Sequence, residues 1–143
     1  MKRSRPTLAI RRLEDVPRRE QWDRHHEGGR AALRDVLGHH GVEAAVTVDP
    51  EHGYLCLLDD AGCRLPWFAN VSHTAGLAVA VLASSPVGVD VERVDRDPTR
   101  AVARFLSRRD RERLARFCPH DVTGELVLWT GKEASLGITR RHS

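Results

Sequence analysis

The sequence predicts an α+β fold in which helices pack against an antiparallel sheet. Apolar segments of strand length, separated by turn residues, occupy residues 42–92, and segments with helical periodicity flank them on both sides. At 143 residues, the chain is long enough to bury one modest core. Its 41% hydrophobic and 30% charged residues are ordinary for a globular protein.

The N-terminal segment, residues 1–26, is rich in arginine, and we expect it to be partly ordered ahead of a domain over residues 27–143. It could attract phosphates or an acidic protein surface, but a solvated, frayed terminus is the commoner outcome. A nucleic-acid partner would depend on these arginines alone and is not expected. No apolar run reaches the ~20 residues of a membrane span, and no signal segment follows the basic start, so we expect a cytoplasmic protein.

The first predicted helix covers residues 29–37, where apolar side chains recur at helical spacing before the stop signals Gly38 and Gly41. Strands are predicted over residues 42–48 and 54–58, followed by turn residues.

A continuous apolar run at residues 77–82 predicts a strand that is buried on both faces. Residues 87–92 alternate strictly between apolar side chains and glycine or acidic residues, and we expect them to pair with 77–82 as an antiparallel hairpin. The period then becomes helical. One helix is predicted to begin at Pro98 and a second to follow a capping box formed by Ser107 and Asp110.

Two carboxylates lie in the alternating segment. In a strand, Asp90 and Glu92 would share one face with roughly 6–7 Å between their Cα atoms, and together they could hold Mg²⁺. Two solvated acids on an exposed strand face would give the same pattern, and this is the more common case for an isolated Asp-x-Glu.

The sequence Trp-Thr-Gly-Lys-Glu-Ala at residues 129–134 falls in a last predicted helix over residues 125–136. Trp129 and Glu133 are four apart and would share a helix face, so a buried indole would orient the carboxylate. Lys132 is one of only two lysines, against 21 arginines, which hints that its ammonium matters. A solvated Lys-Glu pair on an amphipathic helix is the alternative.

A third short motif, Asn-Val-Ser-His-Thr at residues 70–74, directly precedes the buried strand. A histidine in this position is often a hydrogen-bonded structural residue. The chain has no Gly-x-Ser-x-Gly sequence, so a serine hydrolase is not expected.

In order and spacing, the motifs at residues 70–74, 88–92 and 129–134 resemble those of the surfactin-type 4′-phosphopantetheinyl transferases. Arg-Phe-Leu-Ser at residues 104–107 is similar to a further helix junction of that family, and the resemblance spans about residues 30–136. It implies one complete lobe and part of a second lobe of the phosphopantetheinyl transferase fold. It also implies transfer of the phosphopantetheine arm from coenzyme A to a serine of an acyl or peptidyl carrier protein, as in fatty acid, polyketide or nonribosomal peptide biosynthesis.

The resemblance further implies a role for each matching residue. Asp90, Glu92 and Glu133 would be the Mg²⁺ ligands, and Glu133 would also help to deprotonate the carrier serine. Ser72 and His73 would bind coenzyme A, with His73 on a phosphate. Lys132 would add positive charge for both binding and catalysis.

The chain departs from the family pattern at three places. Gly137 stands where the family has a second lysine, and Gly-Tyr-Leu at residues 53–55 lacks the usual cation, for which Arg64 is the candidate substitute. The chain also ends at Ser143, ten residues after Glu133, and from this we expect a homodimer that covers the incomplete lobe. The alternative function is a catalytically weak or inactive relative that binds coenzyme A or a carrier protein.

Overall fold

The computed structural model describes residues 5–51, 53–93, 95, 104, 106–117, 130–132 and 134–135. It contains five strands and two helices with assigned bounds, which in chain order are β1 (Thr7–Arg12), α1 (Arg18–His39), β2 (Ala45–Val48), β3 (Leu55–Leu58), β4 (Phe68–Thr74), β5 (Leu77–Ala83) and α2 (Arg108–Phe117).

The strands of the described residues form two antiparallel sheets. Three strands lie in the order β1-β5-β4, with Leu8 opposite Val81 and Ser72 opposite Val79. A second sheet pairs β2 with β3, and Asp59 closes the turn after β3 by accepting the amide of Cys63 at 2.8 Å. Antiparallel sheets packed with helices confirm the predicted α+β class.

Strand β5 is the central strand of the three-stranded sheet, and its burial was predicted correctly. From Ala78 to Ala83, every side chain is buried. Alternate residues such as Ala80 and Leu82 join the core formed with α1, where Ala32 and Val36 are almost fully buried. The apolar run is continuous because both faces of this strand are covered.

The predicted hairpin between residues 77–82 and 87–92 is wrong. Residues 86–92 are described but form no strand, and β5 pairs with β1 on one edge and β4 on the other. A strand can hydrogen-bond to only two neighbours, so both edges of β5 are occupied before the chain reaches Val87.

The helix α1 was predicted, but it is longer than expected and begins eleven residues earlier, at Arg18. Its end was predicted correctly: Gly41 has a φ of 61° and donates to Gly38 O, and the Val42 amide reaches back to Leu37 O at 3.0 Å. This is a Schellman cap, which needs glycine at the left-handed position. The expected boundary between residues 26 and 27 falls inside this helix.

The basic N-terminus was expected to be partly ordered, and residues 7–12 form strand β1 at one edge of the described sheet. Its Arg11 forms a two-pronged ion pair with Asp35 of α1, so the strand is tied to the helix as well as to β5. The arginines of this segment therefore belong to a folded element.

The helix after Ser107 begins as predicted. The Ser107 amide donates to Asp110 Oδ2 at 2.9 Å, and the Asp110 amide donates back to Ser107 Oγ at 3.2 Å, which is a capping box. Of the last predicted helix, residues 130–132 and 134–135 are helical. The helix predicted to begin at Pro98 lies mostly outside the described residues.

Two adjacent glycines let α1 approach the sheet closely. A Cβ atom at Gly28 would overlap the side chain of Leu13, and one at Gly29 would lie 2.8 Å from Val71 Cγ1 of β4. Gly38, in the same helix, has no heavy atom within 4 Å of the position of its missing Cβ.

We predict that Gly29→Leu lowers the free energy of unfolding by about 1–3 kcal/mol, because the new side chain must push α1 away from β4. The matched control is Gly38→Leu, which adds the same side chain where space is open and should change stability by less than about 1 kcal/mol. Urea unfolding of both variants measures the difference. Equal losses in the two variants would show that α1 and β4 are not in close contact.

Candidate functional site

Strand β4 carries the motif at residues 70–74 and directs it to both faces of the sheet. Successive side chains of a strand point to opposite sides. Val71 and His73 therefore face α1, whereas Ser72 faces the segment that follows β5. One strand thus supplies two separate environments.

On one side of β4, Ser72 fixes Asp90. Its hydroxyl donates to Asp90 Oδ1 at 2.9 Å and accepts the amide of Val91 at 3.2 Å. Asp90 and Glu92 are both half-buried, and the second carboxylate oxygen of Asp90, Oδ2, is buried. The Ser72 hydroxyl orients the Asp90 carboxylate even though residues 87–92 are not the strand that the sequence predicted.

Gly88 brings the last motif to the same segment. A Cβ atom at this position would overlap the carbonyl oxygen of Ala134, so the two backbones touch where only glycine fits. Ala134 directly follows Glu133, whose own placement lies outside the described residues. The motifs at 70–74, 88–92 and 129–134 are therefore joined through the contacts of Ser72 and Gly88.

Lys132 forms an ion pair with the cap of α2. Its Nζ lies 2.9 Å from Asp110 Oδ2, and both side chains are about a third exposed. Hydrogen bonds from Lys132 and then from Ser107 hold the pKa of Asp110 well below its usual range. This carboxylate stays ionised at neutral pH and links the start of α2 to the helical residues 130–132.

On the other side of β4, His73 meets two histidines of α1. Its ring centroid lies 4.8 Å from that of His25 and 6.2 Å from that of His26. Burial lowers the pKa of His73, and the neighbouring His25 and His26 lower it further. The imidazole of His73 is therefore neutral at pH 7 in the ligand-free protein.

These histidines border a cavity of about 520 Å³ between α1, β4 and the second sheet. Side chains from α1, β2, β3 and β4 form its apolar wall. They are Leu33, Val46, Val48, Leu55 and Val71. Arg30 also lines the cavity and adds a cation to it. An apolar wall beside a few polar groups is typical of a small-molecule site.

Arg64, the expected substitute cation, is exposed, and its guanidinium lies over the ring of Tyr54 at 5.4 Å from the centroid. It is not among the residues that line the 520 Å³ cavity. Its role in binding stays a prediction.

Among the described residues, no group of three or more histidine, cysteine or acidic side chains is arranged to hold a metal ion. The expected set has only two members, Asp90 and Glu92, within the described part of the chain. Glu133, together with Trp129 and Gly137, lies outside it.

Sequence reasoning missed His25, His26 and Asp110 as parts of the site. Asp110 was recognised only as a helix cap, because its pairing with Lys132 spans 22 residues. The two histidines fall in the segment that was expected to be only partly ordered. The adjacent His-His pair, one turn before the glycines of α1, was the available signal, and its partner His73 is 47 residues away.

In this α+β protein, the Asp90 carboxylate lies on one face of β4 and the three imidazoles lie on the other. The family model of the 4′-phosphopantetheinyl transferase superfamily matches residues 86–136. That superfamily transfers phosphopantetheine and normally takes coenzyme A as its substrate. A search of curated proteins found no match. None of the described helices is long and apolar enough to span a membrane.

We predict that Gly88→Ala disrupts the contact with Ala134 and lowers stability by at least about 1 kcal/mol, because a carbonyl oxygen cannot yield as a flexible side chain can. Gly131→Ala is the matched control, since nothing lies within 4 Å of its missing Cβ, and it should stabilise the protein slightly. Thermal unfolding monitored by circular dichroism measures both. An unchanged midpoint for Gly88→Ala would contradict the contact.

Proposed function

We propose that the protein transfers the 4′-phosphopantetheine arm of coenzyme A to a serine of an acyl or peptidyl carrier protein in a Mg²⁺-dependent reaction. The observation that carries this proposal is the pair of contacts from Ser72 to Asp90 and from Gly88 to Ala134. They join the three motifs of the resemblance at one place, and two of those motifs lie within the stretch that the family model matches.

Asp90, Glu92 and Glu133 are proposed to hold the Mg²⁺ ion. The donor set fits, because Mg²⁺ prefers carboxylate oxygens and fills its remaining positions with water and phosphate oxygens. Ser72 supports the site by orienting Asp90 through one carboxylate oxygen. When bound, the ion would stabilise negative charge on the diphosphate of coenzyme A.

The 520 Å³ cavity is proposed to hold the adenosine end of coenzyme A. Its apolar wall suits a nucleoside base, and His73 at its edge would donate a hydrogen bond to a phosphate. Strand β4 is an edge strand of the described sheet, so a long ligand lying across it reaches both Val71 on one face and Ser72 on the other. Lys132 and Arg64 remain proposed contributors of positive charge.

In the proposed reaction, the serine oxygen of the carrier protein bonds to the β-phosphorus of coenzyme A while Glu133 accepts the proton of that serine. The bond from that phosphorus to the bridging diphosphate oxygen breaks, and 3′,5′-adenosine bisphosphate leaves. Lys132 supports the charge that develops on the phosphates. The protein supplies position and electrostatics, whereas the transferred arm belongs to the ligand.

A second hollow, of about 490 Å³, supports a protein partner. Its lining includes five arginines and two glutamates, together with Leu13, Gly28 and Ala31. The charged residues are Arg11, Arg12, Glu14, Arg24, Glu27, Arg30 and Arg34. The excess of positive charge favours an acidic surface on the carrier protein. We also propose a homodimer, for which the exposed apolar side chains of Leu8 and Ile10 on β1 offer one contact surface.

The alternative is a relative that binds coenzyme A or a carrier protein without transferring the arm. Its specific support is that Lys132 is engaged with Asp110, and that Gly137 offers no cation. Transfer itself distinguishes the two functions.

We predict that incubation with coenzyme A, Mg²⁺ and a panel of apo carrier proteins adds the mass of the phosphopantetheine arm to at least one carrier. Asp90→Asn should abolish this gain, because the amide keeps the shape of the side chain but not its charge. Asp60→Asn, in an exposed turn, is the matched control and should remain active. Mass spectrometry reads the outcome. Coenzyme A binding without any mass gain would favour the alternative.

We further predict that Mg²⁺ tightens coenzyme A binding by about tenfold or more, equal to about 1.4 kcal/mol, because the ion offsets repulsion between the carboxylates and the diphosphate. Asp90→Asn should remove this dependence. Calorimetry with Mg²⁺ and with a chelator measures it, and equal affinities in the two conditions would count against the metal site.

A further inference from the structure

One carboxylate oxygen of Asp110 accepts three hydrogen bonds. Two come from the cap of α2, where Ser107 donates its amide at 2.9 Å and its hydroxyl at 2.8 Å to Asp110 Oδ2. The third comes from the ammonium of Lys132, also at 2.9 Å. Leu106, the residue before the cap, is buried, so the cap is joined to an apolar anchor. Lys132 is therefore bound to an anion whose position the cap fixes independently of the lysine.

The helical residues around Lys132 are held from two sides. They are residues 130–132 and 134–135, which we call the terminal helical residues, and the Ser135 hydroxyl donates to the Gly131 carbonyl at 2.8 Å within them. Residues two apart in an α-helix are separated by about 200° around its axis. The side chain of Lys132 and the backbone of Ala134 therefore lie on nearly opposite sides of this helix.

These two sides contact different parts of the chain. On one side Lys132 reaches the start of α2, and on the other the carbonyl of Ala134 touches Gly88, in the segment that also carries Asp90. The ion pair with Asp110 limits how far the terminal helical residues can turn or withdraw from Gly88. Removing the charge of Asp110 releases one of the two sides.

We propose that Asp110 is a positioning residue, which acts through Lys132 to hold the terminal helical residues against the segment that carries Asp90. This inference rests on the proposed function for its consequence, since Glu133, the proposed Mg²⁺ ligand and base, lies between Lys132 and Ala134 in the sequence. It extends that function to a residue of α2 that has no role in binding the ligand.

The opposite effect of Asp110 on Lys132 makes a different prediction. Hydrogen bonds from Lys132 and then from Ser107 hold the pKa of Asp110 well below its usual range, so the carboxylate is charged at neutral pH. A charged carboxylate could withhold the ammonium from the phosphates of a ligand instead of positioning the helix. Loss of that charge would then tighten ligand binding, whereas loss of a positioning contact slows the reaction.

The test compares Asp110→Asn with a matched control in the same helix. The amide of asparagine keeps the shape of the side chain and an oxygen that can cap α2, but it removes the charge. Glu112→Gln makes the same chemical change two residues further along α2. The Glu112 carboxylate is exposed and pairs with Arg108 of the same helix at 2.9 Å.

The first measurement is amide hydrogen exchange of the ligand-free protein, which does not depend on any activity. Asp110→Asn should speed exchange about tenfold or more at the terminal helical residues, because local opening becomes easier. Exchange should also rise at Val91, whose amide donates to Ser72 Oγ beyond the contact with Gly88. Rates in α1 and β5 should stay the same, and Glu112→Gln should leave all of these rates unchanged.

The second measurement is steady-state transfer to a carrier protein. Asp110→Asn should lower kcat by about ten- to a hundredfold, since small displacements of a reacting group have effects of this size. The KM for coenzyme A should change little, because the 520 Å³ cavity lies between α1, β4 and the second sheet. Asp110→Glu keeps the charge and is the usual acid of a capping box, so it should retain most of the kcat. Thermal melts check that each variant is folded.

Three results would overturn the inference. They are unchanged exchange at the terminal helical residues of Asp110→Asn, an unchanged kcat in that variant, and tighter binding of coenzyme A by it. With any of these, transfer by the unaltered protein would leave the proposed function standing. Faster exchange in Asp110→Asn without transfer by the unaltered protein would refute the proposed function, but it would support the hold of Asp110 on the terminal helical residues.

Discussion

Strand β5 is hydrogen-bonded along both edges, and much of the arrangement of the site depends on this. With β1 on one side and β4 on the other, β5 has no edge left for the chain that leaves Ala83 to pair with. Residues 86–92 form no strand, and side-chain and backbone contacts hold this segment in place of a strand ladder. Ser72 of β4 supplies one of these contacts at Asp90, and Gly88 supplies another at Ala134.

Strand β4 makes the site two-sided because its side chains alternate. Ser72 holds a carboxylate on one face, whereas the adjacent His73 joins two imidazoles on the other. In a central strand these faces would be separated by the sheet. Since β4 is an edge strand of the described sheet, a ligand with phosphates at two places could pass around the edge and meet opposite kinds of group on each side.

The sequence predicted those features whose causes are local. The burial of β5, the cap at Gly41 and the capping box of Ser107 each depend on residues within a few positions. Which strands pair with one another depends on residues that are far apart in the sequence. The alternation at residues 87–92 is a sound strand pattern, but it cannot reveal that β5 is already paired with β1. The edge strand β1 was likewise not predicted, because the arginines around Leu8 and Ile10 indicated a solvated terminus. The contacts of His25 with His73 and of Lys132 with Asp110 could not be predicted from the sequence, because each joins residues that only the tertiary structure brings together.

The two halves of the candidate site have different kinds of structural support. His25, His26 and His73 lie where α1 packs against β4, beside Val71, which is packed against the main core. The carboxylate half depends on one serine hydroxyl and one glycine contact between segments outside the sheet. If the proposed transfer takes place, loss of either contact should affect it more than it affects the 520 Å³ cavity, which these two contacts do not line. The same fold can therefore support either of the two proposed functions, a transferase or a protein that only binds the ligand.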